Sequence, residues 1–283
     1  MDRIAVIGGG TMGAGIAEVC ARAGSSVVVI EADPDGARRC QARIDASLQR
    51  AVRADRLSAE EADSALARID VATELEGAAD ADLVVEAVPE VESLKLELFR
   101  RLDAILTPEA ILASNTSSIP LVKMASVTGR PEQVVGMHFF NPAPVLPLVE
   151  VVASLLTSEA TLLAVTDFAE KRLGKTTIRS KDRAGFIVNA LLIPYLLSAI
   201  RMLESGFATA EDIDAGMVQG CAHPQGPLAL TDLIGLDTTA AVAQSMYEEF
   251  KEPLYAPPPL LLRMVDAGLL GRKTGRGFFP YAR

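Results

Sequence analysis

The chain has 283 residues, with 37 Asp and Glu against 27 Lys and Arg for a formal net charge of −10, a length that suggests two domains and an acidity that argues against nucleic acid or a membrane surface as partner. Its three scattered cysteines, Cys20, Cys40 and Cys221, lack metal-ligand spacing and read as reduced, buried thiols, so no metal is expected. No uncharged run is long enough to span a bilayer and the N-terminus enters a strand at once, leaving no room for a signal peptide; the expected location is cytoplasmic.

The first apolar run, Ile4 to Ile7, breaks into Gly8, Gly9 and Gly10 and resumes as a helix from Thr11. Gly8, Gly10 and Gly13 fit G-x-G-x-x-G, in which the first glycine permits a tight turn, the second lets backbone approach a pyrophosphate and the third lets helix pack closely on strand. The N–H groups of that turn and helix start, Thr11 and Met12 included, face phosphate. A second apolar run, Val27 to Ile30, ends in Glu31, placed to bind the adenosine ribose hydroxyls. Asp33 competes for that role, but as N-cap before Pro34 it is accounted for by helix initiation. Glu31, with no Arg immediately following, favours NAD over NADP, because a 2′-phosphate would be repelled. A purely structural glycine turn is the alternative.

Pro34 to about Asp55 has helical spacing, and a second helix follows Ser58, which forms a capping box with Glu61. Ile69 to Val71 and Asp82 to Val88 read as strands, the latter with few polar interruptions. Glu92 to Leu106 is a helix and Ala110 to Ala113 a strand, ending in Ser114-Asn115-Thr116-Ser117-Ser118. Alternating strand and helix predict a doubly wound, mostly parallel sheet whose ligand edge carries Glu31, Glu90 and the Ser/Asn/Thr cluster. Val134 to Phe140 and Leu148 to Val152 are further strands, joined by Asn141-Pro142-Ala143-Pro144; a helix from Ser158 to about Leu173 and a short strand near Thr176 follow. From Gly185 the chain reads as helices broken at Gly206, at His223 to Pro227 and at Pro257 to Pro259. The predicted organisation is a Rossmann-like α/β domain over residues 1–183 and an all-helical domain over residues 184–283.

Of the two histidines, His138 ends an apolar strand at the ligand edge, whereas His223 sits in a polar turn before Pro224. A histidine satisfied inside the core is the plain alternative for His138. Glu150 lies in an apolar run, where an unpaired carboxylate is costly, and a histidine on the neighbouring strand is an obvious partner. Such a pair makes a general base, Glu150 fixing the imidazole tautomer while the other ring nitrogen faces substrate; a structural ion pair elsewhere is the alternative. Asn189, inside an almost wholly apolar helix start, needs a polar partner, either substrate or backbone. Ser117 either binds local backbone or contacts substrate.

Taken together, Val6 to Ala17, Ser114 to Ser118, His138-Phe139-Phe140-Asn141-Pro142, Leu148 to Val152, Gly185 to Asn189, His223 to Pro227 and Gly271 to Phe279 resemble the 3-hydroxyacyl-CoA dehydrogenases over nearly the whole chain. The resemblance implies NAD-linked oxidation of an (S)-3-hydroxyacyl-CoA to the 3-ketoacyl-CoA, with His138 as base and Glu150 orienting it. It implies substrate contacts from Ser117 and Asn189, and places Glu90, Lys95 and Asn115 near the nicotinamide half of NAD. It also implies a helical domain that dimerises. Glu31 stands where the family commonly has Asp, and Pro147 and Gln225 replace residues often Lys and Met, departures that bear on the strength of NAD preference and on substrate identity. Competing readings are a gulonate-type sugar-acid dehydrogenase, which shares the His-Glu pair, and a catalytically silent NAD-binding sensor.

Overall fold

Uninterrupted apolar runs become the strands of one sheet because helices cover both of its faces. In the computed structural model, which describes residues 1–281, the chain runs β1 (Arg3–Ile7), α1 (Thr11–Arg22), β2 (Ser26–Ile30), α2 (Pro34–Arg53), α3 (Ala59–Leu66), β3 (Ile69–Ala72) and β4 (Leu83–Glu86). It continues with α4 (Glu92–Ile105), β5 (Ile111–Ser114), α5 (Leu121–Ala125), β6 (Val134–Phe139), β7 (Leu148–Ala153), α6 (Glu159–Asp167) and β8 (Thr176–Lys181). The eight-stranded sheet has the order β3-β2-β1-β4-β5-β6-β7-β8. Neighbours pair in parallel except β6 with β7, which is antiparallel. Ile4, Val6, Val27, Val29, Leu83 and Val85 are buried in its core.

Local signals fix the helix starts. Asp33 accepts from the Gly36 amide at 2.7 Å with Pro34 as the first residue of α2, a cap that contributes about 1 kcal/mol. Ser58 and Glu61 bond reciprocally at the start of α3, at 3.1 and 2.8 Å. α5 is absent from the sequence reading because five residues are too short to show a period. Its first amides, Leu121 and Val122, donate to the two oxygens of Asp182, 2.9 and 2.8 Å away, a cap supplied from far along the chain. Burial pushes the Asp182 carboxyl up, partly opposed by those two amides. The helix expected through Leu173 ends as α-helix at Asp167 and continues as a π-helical turn, Phe168–Arg172, before Gly174 at φ +65°.

The chain divides into two compact units, Met1–Arg183 and Ala184–Arg283. The helical domain expected over residues 184–283 includes 282 and 283, which lie outside the described residues. The second unit contains α7 (Val188–Glu204), α8 (Ala210–Gly220), α9 (Pro227–Ile234), α10 (Leu236–Phe250) and α11 (Pro259–Asp266). Gly235, at φ +103°, separates α9 from α10, a break that sequence reading misses because the flanking apolar run is continuous. The thiol expectation holds for buried Cys20 and Cys40 and fails for Cys221, which is exposed at the end of α8 because the polar turn beyond it leaves that helix end uncovered.

Two buried carboxylates organise the second unit. Asp214 accepts from the first amides of α9, Leu228 at 2.8 Å and Ala229 at 2.9 Å. Asp232 accepts from the Phe278 and Phe279 amides and the Tyr281 hydroxyl, each at 2.9 Å, and so anchors the chain's closing segment. Gly277 is required beside it, since a Cβ there would lie 1.8 Å from Asp232 Oδ1. Asp232→Ala leaves three donors unsatisfied and should destabilise the protein by about 2–4 kcal/mol in urea unfolding; an unchanged midpoint would contradict this anchoring role.

Candidate active site

The glycine turn is shaped by steric contacts that only glycine meets. Gly8 has φ +96°, and a Cβ on Gly13 would lie 1.7 Å from the Gly8 carbonyl oxygen, so α1 can follow β1 this closely only without a side chain there. A Cβ on Gly10 would meet no atom within 4 Å, leaving open space above the turn. Gly10 is the N-cap of α1, no side chain caps that end, and its first turn carries no acid. Exposed Thr11 and half-buried Met12 therefore open a helix whose N-terminus is chemically suited to an anion. Glu31 accepts from the Gly9 amide at 2.8 Å, and Arg43 donates to the Gly9 carbonyl at 2.7 Å, clamping the turn from both sides. Phosphate over Gly10 and ribose beside Glu31 fit this arrangement.

The same sheet edge extends across β4, β5 and β6 through bonds from one strand end to the next. The Gly8 amide donates to Ile30 O, Ala87 to Ile7 O and Asn115 to Glu86 O, each at 2.8 Å. Asn115 Oδ1 in turn accepts from the Phe139 amide at 2.8 Å, fixing the strand end that carries His138. Glu86, fully buried, accepts from Lys95 Nζ at 2.8 and 3.0 Å. Lys95, only 1% exposed, also lies 2.9 Å from Glu90 Oε2. Glu90 accepts from the Thr116 hydroxyl, from the Ser118 hydroxyl at 2.7 Å and from the Ser117 amide at 3.3 Å. Burial alone pushes the Glu90 carboxyl up, but Lys95 and the two hydroxyls together outweigh it and hold the group below its usual range.

His138 and Glu150 face each other across the antiparallel β6–β7 register. His138 Nδ1 lies 2.7 Å from Glu150 Oε2. Glu150 is 0% exposed and His138 7%. A carboxylate so enclosed can only accept, so the neutral imidazole carries its proton on Nδ1 and its lone pair on Nε2. The Phe140 ring packs edge-on against the imidazole at 4.7 Å between centroids.

Gly8, Gly10, Thr11, Met12, Gly13, Glu31, Glu90, Lys95, Asn115, Ser117, His138 and Glu150 thus all belong to the first unit, most of them along one sheet edge. Asn189 lies in the first turn of α7 in the second unit and is half-buried, less enclosed than its apolar neighbours suggest. His223 Nδ1 lies 3.1 Å from the Tyr195 hydroxyl, which ties its turn to α7. Gln225 has a buried Nε2 without a partner among the described residues, and Pro147 is exposed. Sequence reading misses Glu86 and Arg43. Glu86 carries the same signal as Glu150, one carboxylate in an apolar strand, and Lys95 shares the i, i+4, i+7 stripe of buried Phe99 and Leu102. Among the described residues no cluster of three or more His, Cys, Asp or Glu is placed to hold a metal ion.

Residues 3–183 match the family described as 3-hydroxyacyl-CoA dehydrogenase, NAD binding domain, and residues 185–281 the 3-hydroxyacyl-CoA dehydrogenase C-terminal domain. The chain is 55% identical to a 3-hydroxybutyryl-CoA dehydrogenase of Mycobacterium tuberculosis, over 99% of each protein. It is 42% identical to the human mitochondrial hydroxyacyl-coenzyme A dehydrogenase, over 99% of this chain and 91% of that one. Among solved structures, M. tuberculosis FadB2 superposes with a TM-score of 0.98 at 55% identity, covering 100% of this chain and 99% of that one. The (S)-3-hydroxybutyryl-CoA dehydrogenase PaaH1 of Ralstonia eutropha gives 0.93 at 43% identity, covering 100% of both.

The glycine geometry separates folding from binding. Gly13→Ala should destabilise the protein by about 1–3 kcal/mol through the clash with Gly8. Gly10→Ala should leave stability within about 1 kcal/mol while abolishing calorimetric dinucleotide binding, because its Cβ fills only the open space. Equal thermal shifts for the two variants would contradict this division.

Proposed function

The chain belongs to the 3-hydroxyacyl-CoA dehydrogenase family, and from that premise we propose how its own residues carry out the NAD-dependent oxidation of (S)-3-hydroxybutyryl-CoA to the 3-ketoacyl-CoA and the reverse reduction. The observation that carries the reading is the buried His138–Glu150 pair at the edge of the sheet that also bears the glycine turn. His138 Nε2 takes the proton of the substrate's C3 hydroxyl in the oxidative direction and returns it to the ketone oxygen in the reductive one. Glu150 holds the ring through Nδ1 and offsets the positive charge the ring gains with that proton. NAD, when bound, supplies the two-electron acceptor for the hydrogen leaving C3. Gly10, Thr11 and Met12 hold its phosphates in a cofactor turn that Gly8 and Gly13 shape, Glu31 holds its adenosine ribose, and Glu90, Lys95 and Asn115 shape the nicotinamide end, Lys95 acting through Glu90. Ser117, whose hydroxyl has no partner among the described residues, contacts substrate, and Asn189 is assigned a substrate contact on the family match.

The residues 1–183 form the NAD-binding domain and the helical remainder the substrate and dimerisation domain in this reading. A homodimer is supported by large apolar side chains left open on the helical unit, with Leu191 74% and Phe207 80% exposed. A place in cytoplasmic fatty-acid or butanoate metabolism completes the reading. Free thiols at Cys20, Cys40 and Cys221 are in keeping with a reducing compartment. Among the described residues no helix is long and apolar enough to cross a membrane.

His138→Gln should lower kcat with acetoacetyl-CoA by roughly 10²–10⁴-fold while calorimetric NADH binding survives. Glu150→Gln should also impair turnover, since it removes the charge and keeps the volume. Near-normal turnover in His138→Gln would remove the assignment, and lost NADH binding would make His138 structural.

Cofactor preference is tested separately. A 2′-phosphate beside Glu31 would meet a carboxylate, which the Gly9 amide holds at the turn. NADH should therefore be preferred to NADPH, and Glu31→Ala should narrow the gap; comparable kcat/KM for both in the unmodified protein would reject the role of Glu31. Light scattering should give twice the chain mass at micromolar concentration, and a fully active monomer would exclude the dimer.

A further inference from the structure

A concave site lies within the first unit, away from the glycine turn. It is an open cleft of about 380 Å³ at the C-terminal end of α1, lined by Arg22, Arg56, Arg172 and Lys175, with Glu61 at its side. α1 has 12 residues, so its two ends are about 18 Å apart, and this cleft is not the anion site of the helix's N-terminus. Four cations around one cleft run against the composition of a chain whose net charge is −10.

The carboxylates nearby, Glu61, Glu18 and Asp2, offset part of this charge, and Glu18 Oε2 is buried without a partner among the described residues. Glu61 accepts from the Ser58 amide at 2.8 Å in its capping box. Buried Glu18 lies 3.3 Å from Arg22 Nη1 and fixes that guanidinium, and Asp2, strongly exposed, lies 3.0 Å from Arg172 Nη1, where solvent screens it. Arg22 and Arg172 each engage one of five N–H donors in these contacts. Arg56 has no side-chain partner among the described residues. Lys175 Nζ donates to Ala143 O and Leu146 O, both at 2.7 Å, and retains a third N–H. Burial, with Arg22 nearby, holds the Lys175 ammonium below its usual range, the direction expected of a cation enclosed among cations. The negative end of the α1 dipole opposes an anion here, but it is a fraction of a charge set against several whole ones.

We propose that this cleft is an oxyanion site that takes the phosphate or diphosphate group of a phosphate-bearing ligand. Planar guanidinium groups with unused N–H pairs suit phosphate oxygens, and the volume falls at the lower end of the range for small-molecule sites. The two carbonyls held by Lys175 belong to the connection between β6 and β7, the strands that carry His138 and Glu150, so an anion on Lys175 bears on the segment next to the catalytic pair. The phosphate belongs either to the CoA portion of the substrate, which rests on the function proposed above, or to a free phosphate compound.

The test is calorimetry of the full chain with inorganic pyrophosphate at low and high salt, comparing the unmodified protein with Arg56→Glu and Arg172→Gln, whose exposed side chains leave the fold intact by circular dichroism. Binding that weakens with salt and falls at least about tenfold in each variant supports the site. No pyrophosphate binding, or binding unchanged by both substitutions, overturns it, whatever the turnover. The source is read from acetoacetyl-CoA against acetoacetyl-pantetheine, which lacks the phosphates. If the site serves substrate, the variants raise KM for the CoA thioester about tenfold more than for the pantetheine thioester. If it serves a free phosphate compound, pyrophosphate binding persists with saturating acetoacetyl-CoA and the two KM values shift alike.

Discussion

Glu150 is a carboxylate with no exposure to solvent, and its placement is the constraint on which the candidate site depends. An unpaired charge in that position would cost several kcal/mol, so the strand that carries it must be held in a register that supplies a partner. The antiparallel β6–β7 ladder does this by placing His138 directly opposite. A slip of one residue in either strand would put the two side chains on opposite faces and leave the carboxylate alone. The reversal of strand direction at β7 is thus tied to the chemistry: it sets a histidine near the end of one strand against an acid near the start of the next.

A second set of buried charges stiffens the neighbouring edge. Glu86 grips Lys95, Lys95 reaches Glu90, and Glu90 gathers the loop of Thr116, Ser117 and Ser118. The lysine is thereby neutralised on two sides, which explains how it can be almost wholly enclosed. Asn115 connects this edge to β6 through the Phe139 amide. Glycine turn, acidic loop and histidine strand end are therefore parts of one hydrogen-bonded rim, built from the carboxyl ends of parallel strands.

Much of this was legible in the sequence where a local rule acts alone. Alternating apolar runs and helical stretches give the sheet, Asp33-Pro34 and Ser58/Glu61 give helix starts, and a lone carboxylate among Leu148, Val149, Val151 and Val152 demands a partner. The rest depends on residues brought together by the fold. Asp182 caps a helix some sixty residues earlier, Arg43 reaches back to Gly9, and Lys175 ties the β6–β7 connection from the far side of α6. None of these has a sequence spacing to announce it. Glu86 and Lys95 lie between the two cases: the apolar strand and the helical stripe both point to burial, but only their joint burial reveals the pair.

The central claim is that Glu150 fixes the protonation geometry of His138, and nitrogen-15 NMR of the imidazole measures it most directly. The chain has only one other histidine, His223, so the two rings are readily distinguished by substitution. With the ring neutral, His138 should show its proton on Nδ1 and a lone pair on Nε2, and this preference should weaken in Glu150→Gln. A neutral His138 with its proton on Nε2 in the unmodified protein would contradict the account, because the nitrogen required to accept the substrate's proton would already hold one.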